Sequence, residues 1–159
     1  MHRRGRGGAG RADTQMTRQG RFYAAGEVEA AALVLLEPLS FWGGVEVATG
    51  AIIDRSHPDL GKNIAGKILV MPSGRGSSSS SSVLAEAIRR GAAPAGILLV
   101  RPDPILTVGA IVAASLYGLR CPIVVCPIDG IATGDRLRIA VGKTGAAQID
   151  TVSHAATAR

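Results

Sequence analysis

Three short apolar runs, two of them followed by a helical pattern, constrain this chain more than any other feature. Residues 67–71 (Lys-Ile-Leu-Val-Met), 95–100 (Ala-Gly-Ile-Leu-Leu-Val) and 123–125 (Ile-Val-Val) lack apolar–polar alternation. That is the pattern of strands buried on both faces. Residues 83–90 place Val83, Leu84, Ala87 and Ile88 on one stripe and stop at Gly91, a helix terminator. Asp103-Pro104 opens a second helix over 105–117, closed by Gly118. Strand, helix, strand, helix, strand implies a parallel sheet. Its strands end together on one edge, where open α/β sheets bind ligands. Here that edge collects residues 72–77, 101–103 and 127–129. Short strand patterns at 22–25, 31–36, 51–53, 136–141 and 147–152 imply a β-rich layer alongside. The expected fold is α/β: a small parallel sheet flanked by helices, with that β-rich layer beside it.

The loop leaving the first run carries the chemistry. Pro72-Ser73-Gly74-Arg75-Gly76-Ser77 is followed by five more serines, to Ser82. Gly74 and Gly76 let the backbone turn tightly and approach a ligand. N–H groups at the start of the following helix favour an anion. Arg75 adds a fork matched to carboxylate or phosphate. Ser77 and Ser78 bring hydroxyls to the same place. The spacing is not that of a nucleotide phosphate loop, since no Gly-Lys-Ser/Thr closes it. A flexible serine linker is the alternative, but the run is bounded directly by a strand pattern and a helix pattern. Ser80 lies outside the Gly-Arg-Gly-Ser motif and is expected to be a bystander.

Charge argues against a nucleic-acid surface on the folded part. The net charge is +6, yet residues 1–21 hold six arginines against Asp13, a net +5, which leaves +1 for the remainder. We expect residues 1–20 to form a disordered Arg/Gly-rich extension, 21–153 the folded domain and 154–159 a tail. No apolar run reaches membrane-spanning length, and no signal-peptide core follows the basic start. Cytoplasmic residence is therefore expected. Cys121 and Cys126 flank a strand and project to opposite faces, as buried thiols rather than joint metal ligands or a disulfide. His57-Pro58 lies in a turn, Asp103 at the sheet edge, and Trp42-Gly43-Gly44 in a loop that could face substrate or a partner.

The chain resembles the small subunit of aconitase X, a distant branch of the aconitase superfamily. The resemblance rests on Leu39-Ser40-Phe41-Trp42-Gly43-Gly44-Val45, Ile52-Ile53-Asp54-Arg55 with His57-Pro58, Gly66-Lys67-Ile68-Leu69-Val70-Met71-Pro72, Gly74-Arg75-Gly76-Ser77 and Gly109-Ala110-Ile111-Val112. It spans roughly residues 22–150. It implies a swivelling β/β/α domain, dehydration of a hydroxy acid, and a larger partner subunit bearing an iron–sulfur cluster, with no metal on this chain. Family members include bacterial cis-3-hydroxy-L-proline dehydratases and archaeal phosphomevalonate dehydratases. The wording around Trp42 and Asp54 is closer to the bacterial branch. The resemblance makes Ser77 the proton acceptor. Around it, Arg75, Gly76, Ser78, Gly43, Gly44, His57 and Asp103 are the expected substrate contacts. Two other readings remain. One is a phosphoryl-carrying swivelling domain using His57, which lacks the glycine-rich loop and following helix that role needs. The other is a non-catalytic binding domain, with its arginine tail on nucleic acid.

Overall fold

The computed structural model describes residues 16–152. Its elements are β1 (Thr17–Ala24), β2 (Val28–Val34), β3 (Ile68–Met71), α1 (Ser80–Arg90), β4 (Gly96–Leu99), α2 (Pro104–Tyr117), β5 (Ile123–Val125), β6 (Arg136–Val141) and β7 (Ala147–Val152). The unalternating runs are β3, β4 and β5. They pair in parallel, with Leu69 opposite Ile97 and Ile97 opposite Ile123. β2 joins as a fourth parallel strand, Leu33 opposite Leu69. The segment at 51–53 makes only isolated bridges, Val45 to Ile52 and Ala51 to Asn63.

The expected layered arrangement does not form. All the strands close into one barrel, in the order β1-β5-β4-β3-β2-β6-β7. The β-rich segments are therefore not a layer beside the parallel sheet but the rest of its circumference. Nor do helices flank that sheet: α1 and α2 pack together on its outer face, and its other face lines the barrel interior. Closure follows from two strands that each serve both halves. β1 pairs antiparallel with β7 through residues 17–20 and with β5 through 21–24. β2 pairs with β6 through 28–31 and with β3 through 32–34. Residues 17–20 are Thr-Arg-Gln-Gly, with no apolar signal, so sequence pattern alone places them in an N-terminal extension rather than a strand. The rest of that extension, residues 1–15, and the expected tail from 154 lie outside the described residues.

Strand alternation then sorts the core into two clusters. Leu33, Leu69, Met71, Ile97, Leu99 and Ile123 face outward under α1 and α2, against Leu84, Ile88, Leu106 and Ala113. Ala32, Ile68, Val70, Leu98 and Val124 face inward, against Leu137, Ile139, Ala147 and Ile149 from the antiparallel strands. The two cysteines divide the same way, Cys121 in the outer cluster and Cys126 in the inner one, both buried and unpaired. Burial pushes the Cys121 thiol up to about 12 and the Cys126 thiol up to about 11.

Two outcomes test this packing. Gly20 sits where β1 passes from β7 to β5. A side chain there would meet Val125 O at 2.6 Å, Val124 Cγ1 at 2.7 Å and Cys126 Cβ at 2.8 Å. Gly20→Ala should therefore lose about 1–3 kcal/mol in chemical denaturation, the usual scale of overpacking, with a chain shortened to begin at Arg21 losing more. The second outcome concerns pH. Unfolded thiols titrate near ~8.5, while the folded thiols hold their protons to about 11 and 12. Between these values the unfolded state binds fewer protons, so stability falls as pH rises. A Cys121→Ala/Cys126→Ala variant should show a flatter decline between pH 8.5 and 11 than the parent chain.

Candidate active site

The parallel strands end at one rim, and two helices begin there. After β3 the chain makes the glycine loop and enters α1. After β4 it passes Arg101 and Pro102 to Asp103 and enters α2. Between the two helix starts lies a cleft of about 230 Å³ lined by Gly74, Arg75, Gly76, Ser77, Ser80, Asp103 and Leu106, among others. The sequence-level candidates Ser77, Arg75, Gly76 and Asp103 thus line one cleft.

Asp103 caps α2. Its Oδ1 accepts from the N–H groups of Ile105 at 2.9 Å and Leu106 at 3.0 Å, and Pro104 fills the first helical position. Its Oδ2 is left against Gly74, where a Cβ would overlap it. Gly76 has φ +108°, a conformation that L side chains rarely adopt, and its open side is filled by Ser40 Oγ and Cβ. Both glycines are therefore required by backbone geometry or close approach. The serine run is no linker: Ser80, Ser81 and Ser82 form the first turn of α1. Ser77 is exposed, and its Oγ accepts the Ser79 N–H at 3.2 Å. Among the described residues, the N–H groups of Gly76, Ser77 and Ser78 donate to no protein acceptor, and Arg75 makes no ion pair. The cleft thus has unsatisfied donors and one cation on the glycine-loop side and the capping carboxylate of Asp103 on the other, and the glycine-loop side has the chemistry that favours an anion. Arg101 stands at the same rim, donating to Ser73 Oγ at 3.2 Å.

Two loops frame this rim. The first, residues 39–45, is anchored by buried Leu39, Phe41 and Val45. Leu39 bridges to Gly74, which sets this loop beside the glycine loop. Gly43 (φ +75°) has open space around it. Gly44 is forced by contact, since a Cβ there would strike Ser40 O. Neither lines the cleft; they shape the turn that carries Trp42. Ser80, a bystander by sequence, is buried, and its Oγ accepts the Trp42 N–H at 3.1 Å. Nothing in a run of six serines distinguishes that one, and Ser40 carried no signal either.

The second loop, residues 54–60, holds His57. The ring is buried, with Nδ1 accepting from the Asp59 N–H at 3.0 Å and Nε2–H donating to Glu37 O at 3.2 Å. Both nitrogens serve the backbone, so His57 fastens this loop to the segment after β2 and does not line the cleft. Asp54 accepts from the Ser56 hydroxyl at 2.7 Å and N–H at 2.9 Å. Those bonds, helped by the charge of Arg75, hold its carboxyl below the usual range.

Residues 127–129 end the third parallel strand but line a different hollow, and Arg18 from β1 donates to Pro127 O and Asp129 O at 2.9 Å each. A second arginine-lined hollow, about 420 Å³ with Arg89, Arg90 and Arg120, lies at the other end of the helices. It holds no nucleophile in a titratable state, since Cys121 there is a buried thiol pushed up to about 12.

Comparison with known proteins brings the fold and the loop together. The family described as the aconitase X swivel domain matches residues 17–148. Cis-3-hydroxy-L-proline dehydratase of Pseudomonas aeruginosa is 48% identical over 103 residues, covering 65% of this chain and 18% of that protein. The chain therefore spans less than a fifth of that relative. The phosphomevalonate dehydratase small subunit of Pyrococcus abyssi is 42% identical over 113 residues, covering 70% of this chain and 82% of that one. The crystal structure of Thermococcus kodakaraensis aconitase X in its holo form superposes with a TM-score of 0.76 at 30% identity, covering 87% of this chain and 99% of that chain.

The loop geometry makes its own test. Gly74→Ala should be destabilising although alanine stiffens the unfolded chain. That gain is about 0.4–1 kcal/mol, and displacing Asp103 from its cap costs more, about 1 kcal/mol for the cap with overpacking added. Asp103→Asn keeps a capping oxygen and should remain within about 0.5 kcal/mol of the parent, the few tenths that separate good caps. Equilibrium unfolding in urea measures both. A Gly74→Ala chain as stable as the parent contradicts the close packing of loop and cap.

Proposed function

The chain belongs to the aconitase X swivel-domain family, and from that premise we propose that it is the small subunit of a two-subunit hydro-lyase. In this reading it dehydrates a hydroxy acid, cis-3-hydroxy-L-proline, in a cleft that a larger subunit completes. One observation carries the reading: the exposed Ser77 hydroxyl and Arg75 line a single cleft with Gly76, and among the described residues Arg75 makes no ion pair and the Gly76 and Ser77 N–H groups have no protein acceptor.

Loss of water beside a carboxylate requires an α-proton to pass to a base and hydroxide to depart. Ser77 Oγ is the base, and it can accept a proton only as an alkoxide. Hydrogen bonds to the charged form stabilise it. The Ser79 N–H already donates to this oxygen. The start of α1 and Arg75 add positive potential. Arg75, with the N–H groups of Gly76 and Ser78, holds the substrate carboxylate, and Asp103 walls the far side. Gly43 and Gly44 act by shaping the Trp42 turn, and His57 by fixing the loop that carries Asp54. No carboxylate or imidazole among the described residues bonds to Ser77, which suits a site completed by another chain.

An iron–sulfur cluster does not fit this chain's own residues. Cys121 and Cys126 lie in separate clusters as protonated thiols, and among the described residues no group of three His, Cys, Asp or Glu side chains could hold a metal. We assign the cluster to the larger subunit. Exposed apolar side chains at the rim, Leu36, Trp42, Ile53 and Val100, support a partner there. No helix among the described residues is long and apolar enough to cross a membrane. Two unpaired cysteines suit a reducing compartment, so the reading places the enzyme in the cytoplasm. A second substrate, phosphomevalonate, is favoured by one observation: relatives of which this chain covers more than two thirds are small subunits bearing that name.

The test is turnover by the chain mixed with its larger subunit, on cis-3-hydroxy-L-proline and on phosphomevalonate at saturation. The isolated chain should be inactive and the mixture active. Ser77→Ala should lower kcat by at least about 10²–10⁴-fold, the range of general acid–base groups, with assembly intact. Ser82→Ala is the matched control, because its hydroxyl merely returns to Ser79 O at 2.9 Å. Near-normal turnover by Ser77→Ala removes this serine from the chemistry.

A further inference from the structure

A hydrogen bond at the edge of the cleft crosses from the loop at 39–45 to the start of α1. Trp42 is the only tryptophan of the chain and is 58% exposed, yet its backbone is held on both sides. Its N–H donates to Ser80 Oγ at 3.1 Å, and its carbonyl accepts from Ser40 Oγ at 2.9 Å. Ser80 is 3% exposed, opens α1 and lines the cleft. Ser40 is packed against the Cα of Gly76, on the face where a Cβ would strike it. The loop at 39–45 has no freedom to retreat, because Leu39, Phe41 and Val45 are sunk in the outer core. One hydrogen bond, Trp42 N–H to Ser80 Oγ, thus ties the anchored loop to the start of α1, while Ser40, held within its own loop by Trp42 O, packs against Gly76 between Arg75 and Ser77.

We infer that Ser80 and Ser40 are positioning residues that clamp the Trp42 loop against the glycine loop and so hold Ser77 and Arg75 in register. Neither hydroxyl needs to touch substrate. Ser80 gives its oxygen to the Trp42 N–H, and Ser40 occupies the space that the left-handed backbone of Gly76 opens. Without the clamp, residues 74–78 keep, among the described residues, the Leu39 bridge, the bonds at the start of α1 and the packing of Asp103 on Gly74. An active-site oxygen displaced by an ångström loses much of its rate. The inference rests on the proposed dehydratase reading for its catalytic consequence, but the clamp itself can be observed without any turnover.

The experiment has two arms. In the full chain alone, amide hydrogen exchange at Trp42 is followed by NMR for the parent, Ser80→Ala, Ser80→Thr, Ser40→Ala and Ser82→Ala. Ser80→Ala should speed exchange at Trp42 by about fivefold or more, the scale of one lost hydrogen bond. Ser80→Thr keeps the hydroxyl and should restore protection, and Ser82→Ala should change nothing. In the assembled enzyme, with active sites titrated, Ser80→Ala and Ser40→Ala should lower kcat by about tenfold or more with KM little changed, and Ser80→Thr should recover it. If Ser80→Ala fails to fold, Ser40→Ala, which alters a half-buried loop hydroxyl, decides the positioning role by its kcat. Unchanged exchange in Ser80→Ala overturns the clamp. Faster exchange with unchanged kcat overturns the positioning role. If the parent assembly turns over neither acid, the dehydratase reading has failed and the positioning role goes with it, while the exchange arm still decides the clamp.

Discussion

Barrel closure through two shared strands is the constraint on which the rest of this molecule depends. β1 and β2 each divide their hydrogen bonds between two neighbours, one in the parallel half of the barrel and one in the antiparallel half. The parallel strands thereby lose any free edge, and edges are where sheets slip or aggregate. Closure also determines which face each residue presents. Leu69 and Ile97 go under the helices, and Ile68 and Leu98 go to the interior. A slip of one residue would invert both sets. With the strands locked, their C-terminal ends form a rim whose parts cannot drift, and the cleft is built from the chain that leaves it.

At that rim, stability and chemistry use the same atoms. One oxygen of Asp103 caps α2 while the other bears on Gly74, so the helix start and the glycine loop are positioned together. Gly76 takes a left-handed backbone with Ser40 in the space its missing side chain leaves. Among the described residues, the N–H groups of Gly76, Ser77 and Ser78 have no protein acceptor and Arg75 makes no ion pair. Donors left open at the start of a helix favour an anion.

Much of this was legible in the chain itself. The unalternating runs at 67–71, 95–100 and 123–125 marked the buried parallel strands. Asp103-Pro104 and Gly118 marked both ends of α2, and Gly91 the end of α1. The spacing of Cys121 and Cys126 placed them on opposite faces, and they lie in different clusters. Other features were hidden for physical reasons. Residues 17–20 are polar because a strand of which one face meets solvent needs few apolar residues, so their pairing with β7 left no mark on the composition. His57, in a turn before proline, was an expected substrate contact, whereas two backbone partners bury it away from the cleft, one of them twenty residues away at Glu37.

The sequence by itself therefore determined what can be encoded locally: which runs must be strands, where helices start and stop, and that an arginine, two glycines and a serine share one turn. Local patterns are enough for these because they depend on side-chain periodicity and on φ and ψ preferences of single residues. Tertiary structure alone decided that the strands would close, that helices would cover one face rather than two, and that Ser80 and not its neighbours would reach Trp42. Those outcomes depend on contacts between segments far apart in the chain, such as Trp42 with Ser80 or Gly20 with Val125. Six identical side chains in a row carry no information about which one will point inward. That is set by the phase of α1 against the loop at 39–45, and the phase exists only once the core beneath them has packed.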